Sequence, residues 1–97
     1  MLAGPMGLAI FDSELFVANQ NDNTIEEYNI ADPFAPTHIG KISEGELDGP
    51  NGLEIKDRTL YVANQFGNTI QTYQIIDSMP QPSGSFGNDE KLVGQLD

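Results

Sequence analysis

Apolar residues along this chain come in short runs, each broken within a few positions by Asp, Asn, Gly, Ser or Pro. No stretch sustains the apolar spacing of an amphipathic helix, so the pattern predicts strands. Four are expected in the first half: Gly7–Phe11 (a), Glu14–Asn19 (b), Thr24–Ile30 (c) and about Thr37–Ser43 (d). Three more are expected in the second half: about Gly52–Lys56 (a), Thr59–Asn64 (b) and Thr69–Ile76 (c). Its strand d falls either at Ser83–Gly87 or at Lys91–Leu96. Asp12-Ser13 and Asp57-Arg58 join a to b. Asn21-Asp22-Asn23 and Phe66-Gly67-Asn68 join b to c, where Asn and Gly tolerate positive φ.

The two halves are one motif written twice. Shifting the chain by 45 residues gives 17 identities over the 29 positions 4–32, without a gap. Gly4-Pro5 falls on Gly49-Pro50, Leu15-Phe16-Val17-Ala18-Asn19-Gln20 on Leu60-Tyr61-Val62-Ala63-Asn64-Gln65, and Tyr28 on Tyr73. The units divide as residues 1–48 and 49–97. The second is longer by about four residues within Ser78–Val93, a stretch expected to be a variable loop.

Strand b has Leu15 and Val17 on one pleat face and Phe16 and Ala18 on the other. Apolar residues on both sides mean a sheet covered on both sides. A four-stranded antiparallel unit of about 45 residues, packed between like units, is a β-propeller blade. The fold expected is therefore all-β, with two consecutive blades. Two blades alone leave an apolar face at each end, so self-association through those faces is expected. Gly94-Gln95-Leu96-Asp97 echoes Gly45-Glu46-Leu47-Asp48, which precedes Gly49-Pro50. That echo suggests that tail fits head, closing a ring between chains or continuing into further sequence.

Composition narrows the partners. Fifteen acidic side chains face four basic ones, for a formal net charge of −11. Nucleic acid and anionic membrane surfaces require a Lys/Arg footprint that the chain lacks. There is no cysteine to cross-link the fold or bind metal as thiolate. No apolar run reaches the roughly 18 residues of a membrane span. The start of the chain lacks the basic and apolar regions of a signal peptide, so none is expected.

Catalytic chemistry is not legible. His38 is the only histidine, is expected on outer strand d, and has no nearby Cys or second His to make a metal site. None of the serines sits in a nucleophile-elbow context. Gly-Pro-x-Gly opens a strand rather than a helix, so it is not a phosphate loop. In a propeller the b–c hairpins and the d–a connections share one end, where ligands usually bind. Asn19, Asp22, Asn23, Asp48, Asn64 and Asn68 are the candidate residues of that end. Asn19 and Asn64 are expected to bond the hairpin backbone. A calcium ion is the alternative occupant, although it requires roughly six to eight oxygens.

The residues Gly45 to Ile55, then Leu60-Tyr61-Val62-Ala63-Asn64, then Gly67-Asn68-Thr69-Ile70 and Tyr73, resemble an NHL repeat, and Gly4 to Tyr28 repeat the pattern. The family usually has Asp where Asn19 and Asn64 stand, and often Arg where Thr24 and Thr69 stand. YVTN-type and lactonase-like propellers share the strand-b signature. The resemblance implies a closed ring, usually of six blades, which three chains would complete head to tail. It implies no single activity. The expected function is a non-enzymatic scaffold for binding or assembly. The alternative is a metal-dependent hydrolase or lyase of the lactonase-like or NHL kind, active once the ring is complete.

Overall fold

The computed structural model describes residue 2 and residues 4–76 and 79–87. Those residues form eight strands and no helix: β1 (Pro5–Phe11), β2 (Glu14–Asn19), β3 (Thr24–Asn29), β4 (Thr37–Ile42), β5 (Pro50–Lys56), β6 (Thr59–Asn64), β7 (Thr69–Ile76) and β8 (Met79–Gly87). They make two antiparallel four-stranded meanders, ordered β1-β2-β3-β4 and β5-β6-β7-β8. Each sheet is one blade.

The two blades repeat in backbone detail as well as in sequence. Asp12 and Asp57 take φ of 54° and 58° in the a–b turns, and Asn23 and Asn68 both take 57° before strand c. Asp and Asn accept this left-handed conformation more readily than other residues with a Cβ. Both strand a segments begin at a proline and shift register within three residues, between Pro5 and Leu8 and between Pro50 and Gly52. Expected and observed strands agree within two residues for the first seven.

Within 78–93, the expected strand Ser83–Gly87 is present as the end of β8, which begins earlier, at Met79, inside the expected variable loop. The start of β8 pairs Ile76 with Met79, and its end pairs Thr69 with Gly87. Pro80 and Pro82 lie opposite Ile75 and Tyr73. Two prolines within a run argue against an interior strand. An outermost strand tolerates them, because their missing N–H groups can face away from the sheet. The alternative strand Lys91–Leu96 lies outside the described residues.

Pleat alternation and strand register sort the side chains into four surfaces. On one side of blade 1 lie Ala9, Phe11, Phe16, Ala18, Ile25 and Ile42. On one side of blade 2 lie Leu53, Ile55, Leu60, Val62, Tyr73 and Ile75. These two surfaces meet in a single seam that forms the core. Phe16, Ala18, Ile25, Leu60, Val62 and Tyr73 are fully buried there. Each large apolar side chain contributes roughly 1.5–3 kcal/mol by leaving water. Gly7 lets β1 and β5 approach closely, since a Cβ there would run into the backbone of Asn51 to Leu53. Arg58 stacks on Phe11 across the seam, 5.3 Å from the ring centroid, and donates to the Ile75 carbonyl at 2.9 Å.

The other two surfaces have no covering element among the described residues. Blade 1 leaves Leu8 and Ile10 exposed at 62% and 60%. Blade 2 leaves Tyr61 at 37%, beside Ala63 and Ile70 in an open depression of 310 Å³. Among the described residues the two sheets cover each other at the shared seam, and on the other side of blade 1 Val17, Asn19 and Glu26 are buried as well. The seam makes Phe16 and Tyr73 core residues, whereas their repeat partners Tyr61 and Tyr28 are not.

Candidate functional site

The b–c hairpins and the β4–β5 connection lie at one end of the molecule and are bonded to each other. Gln20 Nε2 donates to Gln65 Oε1 at 2.6 Å, joining the two hairpins. Asn23 Oδ1 accepts the Gly49 N–H at 2.7 Å, joining the first hairpin to the connection. The Asp48 carbonyl accepts the N–H groups of Phe66 and Gly67 at 3.2 and 3.3 Å, joining the connection to the second hairpin.

Asn64, buried at the end of β6, lies at the centre of this end. Its Oδ1 accepts the Asp48 N–H at 3.0 Å, and its Nδ2 donates to the Glu46 carbonyl at 2.6 Å and to Thr69 Oγ1 at 3.1 Å. The side chain thus holds the connection from a neighbouring blade. The expected bond to its own hairpin backbone runs instead from the main chain, where the Asn68 N–H donates to the Asn64 carbonyl at 2.9 Å. Two further side chains of β7 grip the same connection. Gln71 Oε1 accepts the Glu46 N–H at 2.7 Å, and the Tyr73 hydroxyl donates to the Glu44 carbonyl at 2.5 Å. Burial and then the nearby Glu44 carboxylate push the Tyr73 phenol up to about 12. Gly45, at φ 85°, passes directly over this pair. A Cβ there would stand 2.8 Å from the Tyr73 oxygen.

Blade 1 carries the same cluster with one change. Asn19, Thr24 and Tyr28 repeat Asn64, Thr69 and Tyr73, and Glu26 stands where blade 2 has Gln71. Asn19 Nδ2 donates to Glu26 Oε2 at 3.1 Å and to Thr24 Oγ1 at 3.4 Å. His38, on outer strand β4 as expected, brings Nε2 to 2.5 Å from the buried Glu26 Oε1 and packs edge-on to Tyr28. Glu26 and Gln71 were not singled out in the sequence. Their signal is a polar side chain at one repeat position, on the same pleat face as Asn, Thr and Tyr.

The six candidate residues thus share one end of the molecule but do not converge on one point. Asn19 and Asn64 are buried, and Asp22, Asn23, Asp48 and Asn68 are exposed around them. The amide oxygens of Asn23 and Asn64 accept backbone N–H groups. Among the described residues no three His, Cys, Asp or Glu side chains gather in a metal-binding group.

An acidic pair lies on the covered side of blade 1. Glu14 and Glu27 are buried there, at the positions where blade 2 has Thr59 and Thr72. Burial, then the Glu14 charge and a hydrogen bond with Glu14, push the Glu27 carboxyl up to about 7.

No protein-family model matches the chain, and no curated protein matches it. Solved structures do match. A functionally unknown protein from Desulfotomaculum acetoxidans DSM 771 aligns with TM-score 0.73 and 20% identity over 87% of this chain. A putative 6-phosphogluconolactonase from Bacteroides uniformis ATCC 8492 aligns with TM-score 0.77 and 13% identity over 91% of this chain. The chain spans 27% of the length of each of these proteins. At such identities the likeness is one of fold: the two sheets are propeller-like blades.

Proposed function

We propose that the chain is a non-enzymatic, NHL-like propeller scaffold, used for binding or assembly, whose two blades become part of a larger ring. One observation carries this reading. Each half of the covered seam has a repeat counterpart, and each counterpart leaves apolar side chains exposed on the outside of the molecule. A surface of Leu8 and Ile10 at one end and Tyr61, Ala63 and Ile70 at the other supports burial against further blades. The polar side chains at the hairpin end, Asn64 and Gln71 above all, bind backbone, which supports a structural role. Once a ring forms, its hairpin ends would present Asp22, Asn23, Asp48 and Asn68 together around a central channel. Three chains would make six blades, the simplest closure of a heterologous contact in this repeat family.

Sedimentation velocity over a range of protein and salt concentrations tests the scaffold. Association is expected, and it should strengthen as salt screens the charge of −11. A monodisperse monomer under all conditions would overturn it. The lactonase-like hydrolase is a second reading, favoured by the likeness to the Bacteroides uniformis protein. Turnover of lactones or esters, with a melting temperature raised by Ca²⁺ or Zn²⁺ and lowered by EDTA, would replace the scaffold reading with that one.

A further inference from the structure

The connection between β3 and β4 is an addition to the repeat. It takes residues 30–36 in blade 1, whereas residues 77–78 alone lie between β7 and β8 in blade 2. A blade of this kind therefore joins strand c to strand d without so long a loop. Within it Phe34 is 96% exposed, and Ala31, Pro33, Ala35 and Pro36 are exposed beside it. The loop is nonetheless held in one shape. Asp32 Oδ1 accepts the Phe34 N–H at 3.0 Å, the Asp32 carbonyl accepts the Ala35 N–H at 3.0 Å, and Asn29 Oδ1 accepts the Ala31 N–H at 2.9 Å. Pro33 occupies the second position of the Asp32–Ala35 turn, which its fixed φ favours. A ring presented in advance on a braced turn loses little freedom when it is buried. Aromatic side chains are frequent anchors of interfaces.

The same chain has a depression of matching size. Lys41, Ile42, Ser43 and Glu44 of blade 1 and Pro80 and Gln81 of blade 2 line about 180 Å³ between the outermost strands β4 and β8. A cavity of about 150 Å³ holds a benzene ring. Ile42 and Pro80 are its buried apolar lining. Lys41 and Glu44 are its charged residues, so an incoming Asp32 is drawn to the Lys41 side alone, which sets the orientation of the loop. The depression beside Tyr61 is larger, and its charged lining residue, Glu54, would repel Asp32. Phe34 does not reach the depression of its own chain, because the six residues of β4 lie between, about 20 Å at roughly 3.3 Å per residue.

We infer that Phe34 of one copy of this chain docks between β4 and β8 of a second copy, with Asp32 against Lys41. The contact goes beyond the scaffold reading and does not rest on it, since it uses neither the surface of Leu8 and Ile10 nor that of Tyr61. Each chain has one such loop and one such depression, so the contact is heterologous and joins copies edge to edge. One loop buries little area, so the contact is weak on its own and is measured at high protein concentration.

The experiment is sedimentation equilibrium on the full chain, its Phe34→Ser variant, its Lys41→Glu variant and an equimolar mixture of the two variants. Both positions are exposed, and circular dichroism shows that each variant is folded. Phe34→Ser keeps the depression, and Lys41→Glu keeps the loop. The expected result is a dissociation constant raised roughly tenfold or more by Phe34→Ser and several-fold by Lys41→Glu. The mixture should recover association, because the loop of one variant meets the unchanged depression of the other. Association that Phe34→Ser leaves intact would overturn this docking while the scaffold stands. A loss in Phe34→Ser that the mixture does not recover would overturn the depression as the seat of the ring. A wild type that never associates would overturn both this contact and the scaffold.

Discussion

Glu14 and Glu27 hold their carboxyl groups together on the covered side of blade 1, each with one buried oxygen that has no hydrogen-bond partner. Two carboxylates desolvated side by side cannot both ionise without a large penalty, so the pair retains a proton near neutrality. Glu27 is raised from 4.5 to about 7. The native state therefore binds this proton more tightly than the unfolded chain does. Its contribution to stability is full below pH 4.5 and is lost as pH rises through 7. The expected slope is at most roughly 1.4 kcal/mol per pH unit in that window. Urea denaturation between these limits should show it, and Glu27→Gln should flatten it. An equal slope in the variant would mean that other groups govern the pH response.

Asn64 is expected to be the most sensitive polar position. Asn64→Ala removes the partners of the Asp48 N–H and the Glu46 carbonyl at once, where the connection crosses between blades. A loss of about 2 kcal/mol follows from two broken bonds to a buried side chain. Chemical denaturation measures it directly. A variant as stable as wild type would show that water replaces the amide without penalty.

Glycines at equivalent repeat positions should respond differently. Gly7→Ala pushes a methyl into the β5 backbone and should destabilise the chain by about 2 kcal/mol. Gly52→Ala fills open space and should leave the monomer within about 0.5 kcal/mol of wild type, or slightly more stable through a less flexible unfolded chain. Thermal melts at low protein concentration compare the two. Equal effects would contradict the close approach of β1 and β5.

The Tyr73 hydroxyl has a single partner, the Glu44 carbonyl. Tyr73→Phe keeps the packing and removes one hydrogen bond, an expected loss of about 1 kcal/mol. The folded phenol is raised from 10 to about 12, so its contribution is present below pH 10 and fades as pH rises through 12. Ultraviolet titration should show a late-ionising phenol in the native protein that Tyr73→Phe removes.

The repeat made most of this fold readable. Leu15 to Asn19 alternates apolar residues across both pleat faces, and Asp12, Asp57, Asn23 and Asn68 mark turns because they accept positive φ. Strand β8 was less legible, because Pro80 and Pro82 look like loop residues until the strand is known to be outermost. The candidate site was legible in position but not in role. Asn64 reads as a local turn residue, whereas its bonds reach segment 44–48, which is distant in sequence. Glu14 and Glu27 gave no signal at all, since an acidic residue in a strand ordinarily faces water. Only the seam shows that these two do not.

The seam also has a direction. Its two sides are different surfaces, so a pair of chains related by a two-fold axis would bring like against like and leave the matching surfaces apart. On the scaffold reading proposed above, each molecule would offer two unlike flanks, a valence of two with fixed polarity. Units of that kind would not be used up by pairing. They would accumulate in one sense until accumulated curvature closed the series.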